Sequence, residues 1–288
     1  MNVCAIIVTY HPELDELEHS IAKLRSQVDA LVLIDNASGE LACEAIRLMA
    51  KKYDGQLIEN SSNVGIAQAL NQGVREAIRR GAQFVLFFDQ DSGVSPDFVE
   101  QELLCYSESS SEKKVGLVSP LIVNPVTKRM HGPIPGADGE LLLAQTSGAL
   151  MPIEVFADVG YFVDELFIDW ADYEHCMRMS LKGWHIAFAE RAKLDHLAGG
   201  NLPINFFGWH TYTLNATPIR YYYRTRNCIW TAKRYYRAFP SIIFRFLRRM
   251  AWQWVKVLMV EGDRLVKLRA NLLGIWDGIG NRRGKRVL

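Results

Sequence analysis

The sequence has no C-x-x-C pair. Its five cysteines, Cys4, Cys43, Cys105, Cys176 and Cys228, are scattered and odd in number, which argues against a disulfide framework or a zinc cage and fits a reducing compartment. It also lacks any apolar run of about 18 residues free of basic side chains, so no membrane-spanning helix is expected. The opening MNVCAIIVTYHP carries no charged segment before its apolar stretch, so a secretory leader is not expected and the chain reads as cytoplasmic. No internal repeat is present. Excess charge of either sign is missing as well, with 33 Lys and Arg against 32 Asp and Glu.

That balance conceals a division. From Arg220 onward there are 17 Lys and Arg against 3 Asp and Glu, which leaves 16 against 29 for residues 1–219. The first part is therefore about −13 and the tail about +14, which suggests separate tasks. The division sets a main domain over 1–219 apart from a basic amphipathic helical tail over 220–288.

Strand and helix signals alternate over the first hundred residues. VCAIIVTY (3–10), ALVLIDN (30–36), QLIEN (56–60) and QFVLFFD (83–89) read as strands, separated by helical stretches through Leu14–Leu24, Leu41–Tyr53 and Gly65–Arg80. Strands that are apolar almost throughout imply an α/β fold with a mostly parallel central sheet covered on both faces. Ligands of such sheets bind beyond the carboxyl ends of the strands. Here those ends are Thr9-Tyr10, Asp35-Asn36, Asn60 and Asp89-Gln90-Asp91, all polar. Residues 105–220 lose the alternation; they read as a second half that completes the sheet and walls the site, with a helix over about 172–183.

The tail is helical in pattern. On a helical wheel Arg245, Arg248, Arg249 and Lys256 fall on one side, and Ile243, Leu247, Met250, Trp254 and Leu258 on the other. Two readings stand together: a basic interfacial helix on an anionic membrane surface, or a helix packed on its own domain with a solvated basic face. Nucleic acid is not expected as a partner, because no reader motif is present and the rest of the chain is acidic.

FVLFFDQDSGVSPDF (84–98) places Asp89 and Asp91 one residue apart at the end of an apolar strand. Like charges there are costly unless a cation is held, and Mg²⁺ or Mn²⁺ with hard oxygen ligands is the simplest one. A turn or helix-cap role competes with that reading.

Several segments, in order, resemble the family 2 glycosyltransferases of GT-A fold, and among them the bacterial rhamnosyltransferase-like members. They are IIVTYHP, LIDNAS, ENSSNVGIAQALNQGV, FFDQDS, QTSGALMP, FIDWADYEHCMRMSLKGW and LDHLAGG, which together cover most of residues 3–200. The resemblance implies a Rossmann-like GT-A domain with a C-terminal helical appendage. It implies that Thr9, Tyr10, Asp35 and Asn36 contact the base and ribose of a nucleoside diphosphate sugar. Asn63, Gly65 and Asn71 would lie near the nucleotide and donor, although Asn63 also suits a helix cap and Gly65 a tight entry. Asp91 and Asp89 would carry Mg²⁺ or Mn²⁺, and His196 matches a histidine near the metal or diphosphate, against a purely structural role. The motif D-x-[DE]-x-C-x-R maps onto Asp172, Glu174, Cys176 and Arg178, making Asp172 the expected base, with Asp169 and Glu174 as rivals. Ala171 departs from the commoner acidic pair at this point.

The function expected from the resemblance is inverting, metal-dependent transfer of a sugar, best read as L-rhamnose from dTDP-L-rhamnose, onto a hydroxyl of a polysaccharide or lipid-linked glycan. A UDP-sugar donor is the alternative within that class. A sugar nucleotidyltransferase would need a Gly-rich phosphate loop after the first strand, and VTYHPELDEL has none. A non-catalytic membrane-surface protein would have no use for both strand-end aspartates and the acidic cluster over 164–174. The expected location is cytoplasmic, peripheral on the inner face of the cell membrane, with a second copy of the chain admitted as a partner.

Overall fold

A computed structural model describes residues 1–196, 202–206 and 209–286, with the backbone alone of 202–206 and 209–211. β1 (Val3–Thr9), α1 (Leu14–Arg25), β2 (Ala30–Asp35), α2 (Glu40–Lys52), β3 (Gln56–Glu59), α3 (Ile66–Arg79) and β4 (Phe84–Asp89) alternate as the pattern predicts. β5 (Ser92–Val94), α4 (Phe98–Ser110), β6 (Val115–Val123), β7 (Met130–His131), β8 (Ile134–Pro135) and β9 (Leu141–Leu143) follow. Next come β10 (Leu150–Pro152), α5 (Glu154–Val159), α6 (Ala171–Leu181) and β11 (His185–His196). The remainder forms β12 (Leu202–Phe206), β13 (Trp209–Thr213), α7 (Pro218–Tyr235), α8 (Pro240–Val260) and α9 (Arg264–Ile279).

The chain divides into two compact units. The first holds Met1–Pro135, Gly139–Asp164 and the described part of Asp172–Leu197; the second holds Gly136–Asp138, Glu165–Ala171 and the described residues that follow.

In the first unit the main sheet runs β3-β2-β1-β4-β10-β6-β11-β5, with β7 on β6. The first four strands are parallel, so their carboxyl ends lie along one edge. Beyond them the sheet is mixed: β10 is antiparallel to β4 and β6, β11 is parallel to β6, and β5 is antiparallel to β11. Every residue of β1 is buried, as expected of a strand covered on both faces. α3 lies close enough on β1 that a Cβ at Gly73 would stand 2.4 Å from Cγ2 of Ile6, so a side chain there would push the helix off the sheet.

The second unit is built on α7, whose Tyr221, Tyr222 and Tyr223 are all buried, packed along α9. α7 ends at Tyr235, and Pro240 opens α8 at its first position. α8 and α9 are separate helices. Between them Glu261 is buried and accepts hydrogen bonds from Thr213 Oγ1, Tyr221 OH at 2.7 Å, Gln253 Nε2 at 3.1 Å and Lys267 Nζ at 2.9 Å. The expected basic face of α8 is corrected at one position. Lys256 is buried, with Nζ donating to the Tyr212 carbonyl at 2.7 Å, and desolvation holds its pKa below the usual lysine value.

Candidate active site

The end of β4 and the end of β11 meet because β5 folds back beside β11. In that antiparallel pairing Ser92 stands opposite His196, and Ser92 is the residue after Asp91. His196 Nε2 thereby lies 3.5 Å from Asp89 Oδ2, and Nδ1 lies 3.7 Å from Asp91 Oδ1. Ser92 Oγ is 3.2 Å from Nδ1. The candidate ligating atoms of Asp89, Asp91 and His196 all lie within 4.8 Å of one another. Two carboxylates and an imidazole form a donor set that suits Mn²⁺, which accepts a ring nitrogen, and that offers Mg²⁺, which prefers oxygen, its two carboxylates. Burial pushes the Asp91 carboxyl above the usual carboxylate range, Asp89 pushes it further, and His196 opposes both. A cation at this point relieves that repulsion.

Two contacts outside the sequence reading hold this end of the sheet in shape. Gln90, the middle residue of the D-x-D, accepts from the Tyr10 backbone N–H at 2.8 Å and donates to the Tyr10 carbonyl at 3.3 Å. It ties the end of β1 to the turn that carries both aspartates. Ser147 Oγ donates to Asp89 Oδ2. Its loop is fixed to β4 by Gly148 N–H on the Phe87 carbonyl at 2.7 Å. Gly148 has φ +70°, and a Cβ there would meet Pro120 Cγ at 2.9 Å, so both backbone and space call for glycine. The signal for Ser147 was present in QTSGALMP, but nothing in that string says which strand end it faces.

The predicted nucleotide contacts divide into two groups. Thr9 and Asp35 are brought together at the ends of β1 and β2, with Thr9 Oγ1 donating to Asp35 Oδ1 at 3.1 Å. Asp35 also accepts from Ser38 N–H at 3.1 Å and from Ser38 Oγ at 2.5 Å, and it is buried. Asn36 donates to Asn63 Oδ1 at 3.1 Å and accepts from the Val64 N–H at 3.0 Å. Asn63 Oδ1 also accepts from Gly65 N–H at 2.9 Å. Gly65, at φ +90°, is the N-cap residue of α3, so Asn63 braces the turn before the helix rather than capping it. Tyr10 is exposed at the open edge.

Asn71 belongs elsewhere. It is fully buried, its Nδ2 donates to the Phe162 carbonyl at 2.8 Å and to Asp164 Oδ1 at 2.6 Å, and its Oδ1 accepts from Phe162 N–H at 3.0 Å. It locks α3 to the segment around Asp164 instead of presenting its amide at the sheet edge.

The three candidate bases lie in different surroundings. Glu174 is completely buried, and Arg178 Nε donates to both of its oxygens at 3.0 and 2.9 Å while the guanidinium also holds the Val159 and Tyr161 carbonyls. That is a structural clamp. Asp172 is half-buried in the first turn of α6, where Oδ1 accepts from the Tyr173 N–H at 2.8 Å. The same helix is anchored by Cys176 Sγ on the Ala144 carbonyl at 3.6 Å, three residues before Ser147.

Asp169 lies in the second unit, in ion pairs with Arg220 at 3.4 Å and Arg224 at 3.5 Å. Its segment is strained: Phe167, Asp169 and Trp170 have φ of +66°, +61° and +75°. Asn227 Nδ2 holds the strained backbone through the carbonyls of Leu166 and Ile168 at 2.8 Å and Asp169 at 2.9 Å. Arg226 Nη2 adds bonds to the Glu165 and Leu166 carbonyls at 2.8 and 3.1 Å. Neither Asn227 nor Arg226 was foreseen, because RYYYRTRNC carries no signal of which carbonyls lie beside it.

Residues 4–106 match the family model described as Glycosyl transferase family 2. A curated relative, the dTDP-rhamnosyl transferase RfbF of Shigella flexneri, is 26% identical over 302 residues, covering 96% of this chain and 95% of the relative. The low-salt glycan biosynthesis hexosyltransferase Agl10 of Haloferax volcanii is 21% identical, covering 99% of this chain and 93% of the relative. Among solved structures, GalNAc-T7 with UDP, GalNAc and Mn²⁺ superposes with a TM-score of 0.63 at 12% identity, over 98% of this chain and 56% of that one. The sheet described above is thus the GT-A fold.

Proposed function

We propose that this chain, a family 2 glycosyltransferase similar to rhamnosyltransferases, transfers L-rhamnose from dTDP-L-rhamnose to a hydroxyl of a polysaccharide or lipid-linked glycan, with inversion at the anomeric carbon. The observation that carries the reading is the cluster of Asp89, Asp91 and His196 on the same sheet edge as the Thr9–Asp35 and Asn36–Asn63 pairs. That arrangement gives a diphosphate end and a nucleoside end along one row of strand termini. The near full-length likeness to a dTDP-rhamnosyl transferase supports the donor. A UDP-sugar is the second reading, favoured by solved relatives of the same fold titled with UDP and UDP-GlcNAc.

In this reading Asp89, Asp91 and His196 hold Mg²⁺ or Mn²⁺, which when bound offsets the charge that grows on the departing diphosphate. Ser147 and Gln90 keep the two carboxylates aimed at that point. Asp172 accepts the proton of the acceptor hydroxyl as its oxygen bonds to the anomeric carbon and the bond from that carbon to the diphosphate oxygen breaks. Glu174 is completely buried behind Arg178, whereas Asp172 is half-buried in the first turn of α6, which supports Asp172 over Glu174. No covalent enzyme intermediate is required. Residues 1–219 serve as the catalytic domain and 220–288 as a basic helical appendage.

A nucleotide-release screen of the purified chain with several nucleoside diphosphate sugars and Mn²⁺ tests the donor. Release of dTDP from dTDP-L-rhamnose is expected. Release from UDP-sugars alone would overturn the donor and leave the class intact.

A further inference from the structure

Two helices of the second unit present apolar side chains outward along straight stripes. On α9 the stripe is Leu265, Arg269, Leu272, Trp276 and Ile279, at alternating steps of four and three residues, with Leu265 81% and Trp276 77% exposed. On α8 it is Phe244, Arg248, Trp252, Val255 and Met259, again all exposed. Steps of three and four keep such residues on one face of a helix. This is not the face the helical wheel favoured, because the inner side of α8 is taken by Ile242, Ile243, Lys256 and Val257. Among the described residues no helix is long and apolar enough to cross a membrane.

The charge around these stripes is mostly of one sign. Beyond Phe239 the chain has three carboxylates, Glu261, Asp263 and Asp277. Glu261 and Asp277 are buried in contact with Lys267 and Arg286, so Asp263 is the exposed one among the described residues of that stretch. Arg248, Arg249, Arg264 and Arg269 are all exposed.

We propose that the outward faces of α8 and α9 form an interfacial binding surface for a membrane rich in anionic lipid. Trp252, Trp276 and the aliphatic side chains enter the headgroup boundary, while Arg248 and Arg269, each set within its stripe, meet lipid phosphates. Those two arginines distinguish a lipid from a second copy of the chain. Within a self-pairing apolar seam each would be desolvated with no carboxylate of the stripe to meet, whereas at a headgroup boundary each finds an anion. The surface would hold the enzyme where a lipid-linked acceptor is presented, yet it stands on the tail alone and is measured without turnover.

The test is flotation of the full chain with vesicles of phosphatidylcholine alone and of phosphatidylcholine mixed with phosphatidylglycerol. The wild type is expected to float with the anionic mixture about tenfold better than with phosphatidylcholine, and less well as salt is raised. Leu272→Glu with Trp276→Glu should abolish flotation, and Arg248→Ser with Arg269→Ser should weaken it about tenfold. All four side chains are exposed, so melting temperatures are expected to hold and confirm the fold of the variants. Absence of lipid-dependent flotation in the wild type would overturn the proposal. So would a stable dimer by light scattering that Leu272→Glu with Trp276→Glu dissociates, since the face would then belong to a second copy. Nucleotide release in solution separates either result from failure of the sugar-transfer reading.

Discussion

The imidazole of His196 faces Oδ1 of Asp91 at 3.7 Å although the two residues are 105 positions apart in sequence. The register of β5 against β11 produces that approach, since pairing His196 with Ser92 leaves Asp91 one residue beyond. Mn²⁺ titration followed by loss of the free-ion paramagnetic signal should therefore show one site. Asp91→Asn and His196→Ala are each expected to weaken it at least about tenfold, the first by removing the charge of a ligand and the second by removing its ring nitrogen. Unchanged binding in both would remove the metal from this position.

Asp172→Asn keeps the shape of the side chain and removes its capacity to take a proton. Turnover should fall by about 10²–10⁴-fold with donor affinity nearly unchanged, as measured by steady-state kinetics and dTDP binding. Glu174→Gln should behave differently. It weakens the charge-assisted pair with the half-buried Arg178, so the expected result is a loss of about 1–3 kcal/mol of stability in denaturant melts.

Asn227 holds three carbonyls of a segment with three left-handed residues, and that segment runs directly into α6 and Asp172. Asn227→Leu takes this donor from the Ile168 and Asp169 carbonyls, while the Leu166 carbonyl keeps Arg226 Nη2, at a cost of about 1–3 kcal/mol for each carbonyl left buried without a partner. Faster hydrogen exchange confined to residues 165–171 is expected. Exchange as slow as in the wild type would show that the segment holds itself.

Two buried groups give stability opposite pH slopes. Burial, then the Arg178 cation, bring the His175 pKa down to about 3, against a bond to the Gly160 carbonyl that raises it. Below pH 6.5, its ordinary value, the unfolded chain takes a proton that the native ring refuses. Stability should then fall by about 1.4 kcal/mol per pH unit toward pH 3, and His175→Gln should remove that slope. Burial pushes the Glu102 carboxyl well above 4.5, and neither of its oxygens has a hydrogen-bond partner. Here the native state keeps a proton that the unfolded chain releases, so stability declines as pH rises above 4.5. Glu102→Met should raise the melting temperature at pH 8, the effect shrinking as pH falls to 4; a lower melting temperature at pH 8 would contradict this.

The four parallel strands were legible because each is apolar until a polar terminus, and their ends fall within a residue of the pattern. α4 was not, since its second half falls where the strand–helix alternation is lost, while its first turn buries Phe98 and Val99 against the core. The break between α8 and α9 is not legible in the helical pattern of the tail, because Glu261 looks like one more surface charge and only tertiary contacts make it a buried anchor. Asp89, Asp91 and His196 were named from the sequence, and the fold brings them together. The partners that fix them, Gln90, Ser92 and Ser147, depend on register and loop path, which local patterns do not encode.

The most direct measurement is dTDP release from dTDP-L-rhamnose in the presence of acceptor, with Mn²⁺ or with excess chelator, in the wild type and in Asp91→Asn. Turnover is predicted in the wild type with Mn²⁺ and its loss in each of the other conditions. Equal turnover with chelator and in Asp91→Asn would contradict a metal-held diphosphate at Asp89, Asp91 and His196.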